Sequence, residues 1–205
     1  MLRRLMIAGA GSAVGGLTFD PLRKHSSITL TAGDRTAIGS ANSGGQVLAK
    51  NPKSSGKWYL EALVDSYAIG SGSNGIGVIG LSTDAAPLSD YLGKSPSCCG
   101  VWGVGSSTAA YLSGATASPG PVLGSVSGGD VFGMAWDADT GKVWYSKNGS
   151  WSGNPSAGTA PTHSSTSLTG LHYAASGPRN IGNSVTLSSS PAFPVPSGFT
   201  VWGAL

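Results

Sequence analysis

The sequence predicts an all-β chain, a two-sheet antiparallel β-sandwich with a glycine-rich N-terminal arm. Three observations carry that expectation. Short apolar runs recur between turn-forming clusters, and no long segment keeps a helical apolar period without Gly, Pro or a serine cluster interrupting it. The composition is rich in loop residues yet aromatic: 33 Gly and 33 Ser stand beside 6 Trp, 6 Tyr and 4 Phe in 205 residues, a mixture that disordered linkers lack. The third is residues 129 to 149, which spell two strands and two tight turns in local chemistry alone. Asp137-Ala138-Asp139-Thr140-Gly141 gathers turn-tolerant residues between two aromatic and β-branched runs, and Asn148-Gly149 is a strong hairpin signal. By the two-residue strand period, Phe132, Met134 and Trp136 share one face, and Trp144 shares a face with Ser146.

The remaining pieces fall in order along the chain. Ser55-Gly56-Lys57-Trp58-Tyr59-Leu60-Glu61-Ala62-Leu63-Val64 and Ile76-Gly77-Val78-Ile79-Gly80-Leu81-Ser82 lie upstream, followed by Leu92-Gly93 and Val101-Trp102-Gly103. Leu171-His172-Tyr173-Ala174-Ala175, Val185-Thr186-Leu187 and Pro196-Ser197-Gly198-Phe199 lie downstream. Together with Gly129-Asp130-Val131-Phe132-Gly133 and its aromatic hairpin, this series resembles the SPRY domain family over about residues 18 to 205. Specificity comes from the order of the pieces, since each alone occurs in many β proteins. Two departures stand out: Ser188-Ser189-Ser190 replaces the family's Asn-Phe-Gly, and the Pro of its Leu-Tyr-Pro-Ala-Val strand is absent around Tyr173. The expected core comprises Trp58, Leu60, Val78, Trp102, Val131 or its alternating partners, and Trp136.

The resemblance implies that loops at one end of the sandwich form a partner surface, at segments 39–56, 66–75, 83–99 and 105–127. Tyr67, Tyr91 and Tyr111 fall in these segments, and tyrosine gives large contact area at little rotamer cost. The Pro-Ser-Gly-Phe ending, the low charge and the arm-like start resemble single-domain members from tailed-bacteriophage virions. The implied role is a non-enzymatic structural protein, a tail fibre, spike or head decoration. Its partners would be other virion proteins and a host surface receptor or glycan, within a homo-oligomeric assembly. A cytosolic interaction adaptor and a lectin-like glycan binder are the competing readings.

Two units are expected, an arm at 1–17 and the sandwich at 18–205. In the arm, Met1, Leu2, Leu5 and Ile7 are the apolar residues expected to dock on another subunit. The apolar stretch of the arm is short and glycine-rich for a signal peptide. Ile7-Ala8-Gly9-Ala10-Gly11 imitates a dinucleotide fingerprint but leads into Gly15-Gly16 and Pro21 rather than an amphipathic helix.

Chemistry is scarce. The chain holds one glutamate, Glu61, mid-strand, so it and Asp65 are not placed to flank a glycosidic bond, and Glu61 is expected to satisfy backbone or a neighbouring strand. Asp137 to Gly141 begins like a calcium loop but lacks the distal bidentate glutamate. His25, His163 and His172 have no partner at zinc-ligand spacing, and no Gly-x-Ser-x-Gly elbow exists. No cofactor or metal is expected. The net charge of +3 comes from 12 scattered basic residues without a stripe, which argues against nucleic acid, and no membrane insertion is expected. Cys98 and Cys99 are adjacent, too close for an unstrained bridge, and are read as reduced thiols.

Overall fold

The computed structural model describes residues 16–68, 75–104, 107–117, 123–188 and 190–203. The chain runs through β1 (Phe19–Lys24), β2 (Ile28–Thr31), β3 (Thr36–Gly39), β4 (Val47–Ala49), β5 (Lys57–Ser66), β6 (Ile76–Ser82), β7 (Cys99–Val104) and β8 (Ser107–Leu112). It continues through β9 (Ala115–Thr116), β10 (Val131–Asp137), β11 (Lys142–Lys147), β12 (Ser150–Trp151), β13 (His163–Ser164), β14 (Tyr173–Pro178), β15 (Ser184–Leu187) and β16 (Thr200–Val201). A single 3-10 turn, Thr166–Leu168, interrupts the strands among the described residues.

Two sheets face each other. One has the order β1-β4-β14-β6-β7-β8-β9, the other β12-β11-β10-β5-β15-β3-β2, with β13 on β11 and β16 on β5. All pairings between named strands are antiparallel except the two-residue β16 to β5 contact. The fold is therefore the expected all-β sandwich.

Turn chemistry sets the register of its centre. The Asp137 carboxylate accepts from the amides of Asp139 and Thr140, each at 3.2 Å, and Gly141 closes the turn at φ +66°. Asn148 and Gly149 both take positive φ, 49° and 79°, the combination a tight two-residue hairpin requires. The Asn148 side chain reaches back to accept from the Val131 amide at 2.9 Å and to donate to Asp130 at 2.8 Å. These turns lock Phe132 opposite Lys147 and Trp136 opposite Val143.

Alternation then fills the core. Leu60, Ala62 and Val64 of β5, Phe132, Met134 and Trp136 of β10, and Val143 and Tyr145 of β11 meet Val78, Ile79, Leu81, Cys99, Val101 and Ala174 of the other sheet. The neighbours Val78 and Ile79 both point inward because a bulge between Gly77 and Ile79 shifts the β6 register against β7. Trp136 stacks on Trp202 at 5.5 Å and 23°, and its indole donates to the Leu168 carbonyl at 2.9 Å. Trp202 and Leu17 are both buried, and a Cβ on Gly203 would lie 3.0 Å from the Leu17 amide nitrogen, so the two described ends meet. Leu17, read as the last residue of the arm, thus already belongs to the core.

Three core expectations change. Trp102 is buried but lies on the outer face of its sheet, because Val101 takes the inward position of β7. Trp58 is only partly buried, packing against the core from its edge with Lys53 4.1 Å above its ring. Val131 is half-buried while its neighbour Phe132 fills the core. The segments read as loops also hold strands: β4 lies within 39–56, and β8 and β9 lie within 105–127.

Candidate binding site

Each sheet carries an aromatic cluster on its outer face, and the two are finished differently. On the nine-stranded sheet, Tyr59, Ala135 and Trp144 form the cluster, with Trp151, Val195 and Phe199 packed on it. Phe199 meets Trp144 edge-on at 6.2 Å and Trp151 lies 6.0 Å from Tyr59. Glu61 ties this cover down. Its carboxylate, 2% exposed, accepts from the Tyr59 hydroxyl and from the backbone amides of Ala192 at 2.7 Å and Phe193 at 3.0 Å. Burial, then the bond to Glu61, pushes the Tyr59 hydroxyl pKa well up. Asp65 instead accepts from the Thr186 hydroxyl at 2.7 Å on β15. The two carboxylates are structural acceptors, as the strand position of Glu61 led us to expect.

On the seven-stranded sheet, Leu92, Trp102 and Ala175 form the cluster, with Tyr91, Val104 and Tyr111 around it. The Trp102 indole lies over β6, where a Cβ on Gly77 would sit 2.9 Å from the ring, and its N–H donates to the Leu92 carbonyl at 2.8 Å. Tyr91 stands edge-on to Trp102 at 5.8 Å and to Tyr111 at 5.7 Å. The Tyr91 loop is braced. Asp90 accepts from Lys94 at 2.8 Å and from Ser95 at 2.6 Å, contacts that lower its pKa. Gly93 takes φ +86° and packs where a Cβ would come 3.0 Å from the Tyr111 carbonyl, so only glycine lets the loop lie on β8.

Nothing described covers this second cluster. Gly75, Tyr91, Trp102, Val104, Tyr111 and Arg179 line an open cavity of about 210 Å³. Tyr91 and Tyr111 are thus brought together, although Tyr111 stands on β8 and not in a loop. Tyr67 is not with them; it follows β5 and packs against the core between the sheets. Met1, Leu2, Leu5 and Ile7 lie outside the described residues. Sequence reasoning missed Arg179, which follows β14 directly, and misassigned Trp102 to the interior. Only the alternation of β7 around Val101 carried a signal for the latter.

Other titratable groups sit apart from the cavity. Cys98 and Cys99 are buried free thiols, and burial pushes the Cys99 pKa up to about 12. His163, 4% exposed and edge-on to Tyr145, is pushed down to about 4 by burial. Among the described residues no three metal-ligating side chains come together, and no helix is long and apolar enough to cross a membrane.

No family model matches the sequence, and no curated protein matches it. Solved structures do. The PSpry domain of TRIM65 aligns at 20% identity and TM-score 0.61 over 85% of this chain and 93% of that one. The SPRY domain of human HERC1 aligns at 17% and 0.60 over 83% and 97%. Stonustoxin aligns at 17% and 0.57 over 84% of this chain but 28% of its own. The fold is that of SPRY domains.

Proposed function

We propose that this chain is a non-catalytic interaction module whose contact surface is the open aromatic cavity of the seven-stranded sheet. One observation carries the reading: Tyr91, Trp102 and Tyr111 form a braced, concave aromatic surface that no described part of the chain fills, whereas the equivalent cluster on the other sheet is covered by residues 190–199. Rigid aromatics around a concavity are the residues that dominate binding energy at protein interfaces. The SPRY fold, used by TRIM65 and HERC1, supports the same reading.

The module is assigned to the virion of a tailed bacteriophage, contacting neighbouring virion proteins or a host surface component. The supports are its 10% charged residues, its Gly and Ser content and its Pro196-Ser197-Gly198-Phe199 ending. Two measurements test these statements separately. Random peptides displayed on ribosomes and selected on the immobilised protein should yield binders that the double variant Tyr91→Ala with Tyr111→Ala, still folded, no longer retains; undiminished binding would refute the cavity. Mass spectrometry of purified particles should find the chain among the structural proteins, and its absence there would refute the virion placement alone.

A further inference from the structure

Resting on the cavity reading, we propose that the occupant of the Tyr91–Trp102–Tyr111 cavity is a glutamate side chain of a partner polypeptide, its stem against the rings and its carboxylate on Arg179. Arg179 is the single charged residue among the described lining residues, and none of them carries a carboxylate. Its Nε atom is buried and has no hydrogen-bond partner among the described residues. An arginine cannot escape that cost by losing its proton, so its guanidinium stays the cationic part of the cavity wall, and Nε gains an acceptor only if the side chain turns to meet a bound carboxylate. Asp90, which precedes Tyr91 in the chain, is already engaged by Lys94 and Ser95.

The size and walls narrow the ligand. A volume of about 210 Å³ falls below the roughly 300–1,000 Å³ of small-molecule sites, and equals about seven liquid waters of ~30 Å³ each, room for one side chain and its flanking backbone. The Trp102 N–H is spent on Leu92, so that ring offers a face suited to methylene groups, while Tyr91 and Tyr111 bring a hydroxyl each beside their rings. Glutamate has such a stem ahead of its head. A planar guanidinium matches a carboxylate in bidentate fashion, whereas phosphate groups are met by clusters of arginines and nucleic acids by several cations on one face.

The experiment titrates the full chain with N-acetylglutamate amide and follows the Arg179 Nε–H and Trp102 indole resonances by NMR. A saturable shift is expected, at least tenfold weaker with N-acetylglutamine amide, and lost in Arg179→Gln, whose melting temperature should equal or exceed that of the parent. Equal affinity for the glutamine compound, or undiminished binding by Arg179→Gln, overturns the proposal. So does tighter binding of N-acetylphosphoserine amide, which would make the site a phosphate reader, or of N-acetylalanine, which would make it a reader of chain ends. The peptide selection separates this failure from that of the cavity: binders that need Tyr91 and Tyr111 but not Arg179 and show no enrichment of glutamate refute the carboxylate and leave the cavity standing.

Discussion

The outer faces of the two sheets make the same aromatic investment and reach opposite ends. Over the nine-stranded sheet, Tyr59 and Trp144 are covered by Phe199, Val195 and Trp151, and the cover is pinned by Glu61. Over the seven-stranded sheet, Tyr91 and Tyr111 flank an open hollow, and Arg179 keeps a buried N–H without an acceptor among the described residues. The lesson is that burial alone does not separate a structural cluster from a binding one. In these two clusters the polar groups differ as well: Glu61 beneath the closed one has its partners, and Arg179 Nε beside the open one has none among the described residues.

If that contrast is right, stability should depend far more on the closed side. Trp144→Ala should cost about 3–5 kcal/mol in denaturant unfolding, the range for a fully buried large aromatic. A loss no larger than that of Tyr91→Ala would break the comparison.

Acid should weaken the nine-stranded sheet through His163 on β13. Its folded pKa of about 4 lies below the ordinary 6.5, so the unfolded chain takes up the proton first. The stability owed to its neutral form is complete above pH 6.5 and is lost as pH falls toward 4, by on the order of 3 kcal/mol. Urea titrations across that window should show the decline, with a shallower slope in His163→Gln. An unchanged slope would remove His163 as its origin.

Glu61→Gln should cost about 1–3 kcal/mol, because an amide cannot accept all the bonds the carboxylate holds. Hydrogen exchange should rise first at the Ala192 and Phe193 amides. If exchange rises uniformly instead, Glu61 does not specifically pin the cover.

The open side should show the smallest effect. Tyr111→Ala should lower stability by no more than about 1 kcal/mol, since the ring is only partly buried and faces the hollow. A thermal melt checks this, and a cost matching that of Trp144→Ala would mean the open rings are structural too.

The parts of this molecule written in local chemistry were legible in the sequence. Asp137 to Gly141 and Asn148-Gly149 form the turns their side chains dictate, and Glu61 found backbone donors as a lone mid-strand carboxylate must. Whatever depended on which sheet face a strand presents was less visible. Trp102 reads as core because tryptophan usually is, yet the inward position of Val101 on β7 leaves it outside. The strands before Lys50 were missed because β1 contains Pro21 and charged residues and β4 has only three residues, too few for a period. Arg179 had no local signature at all. Its importance comes from Gly75, Tyr91 and Tyr111, distant in the chain, closing around it.

The meeting of Leu17 with Gly203 has a topological consequence. Because the described chain ends at a shared seam, with Leu17 and Trp202 buried beside each other, a short bridge across that seam would make the sandwich nearly a closed ring. Its termini can then be reopened elsewhere, for example at the exposed Ser113–Gly114 turn between β8 and β9, as a circular permutant with the same packing. The same seam suits the sandwich to insertion within a surface loop of an unrelated protein, where entry and exit strands would leave side by side and the host would hardly be parted.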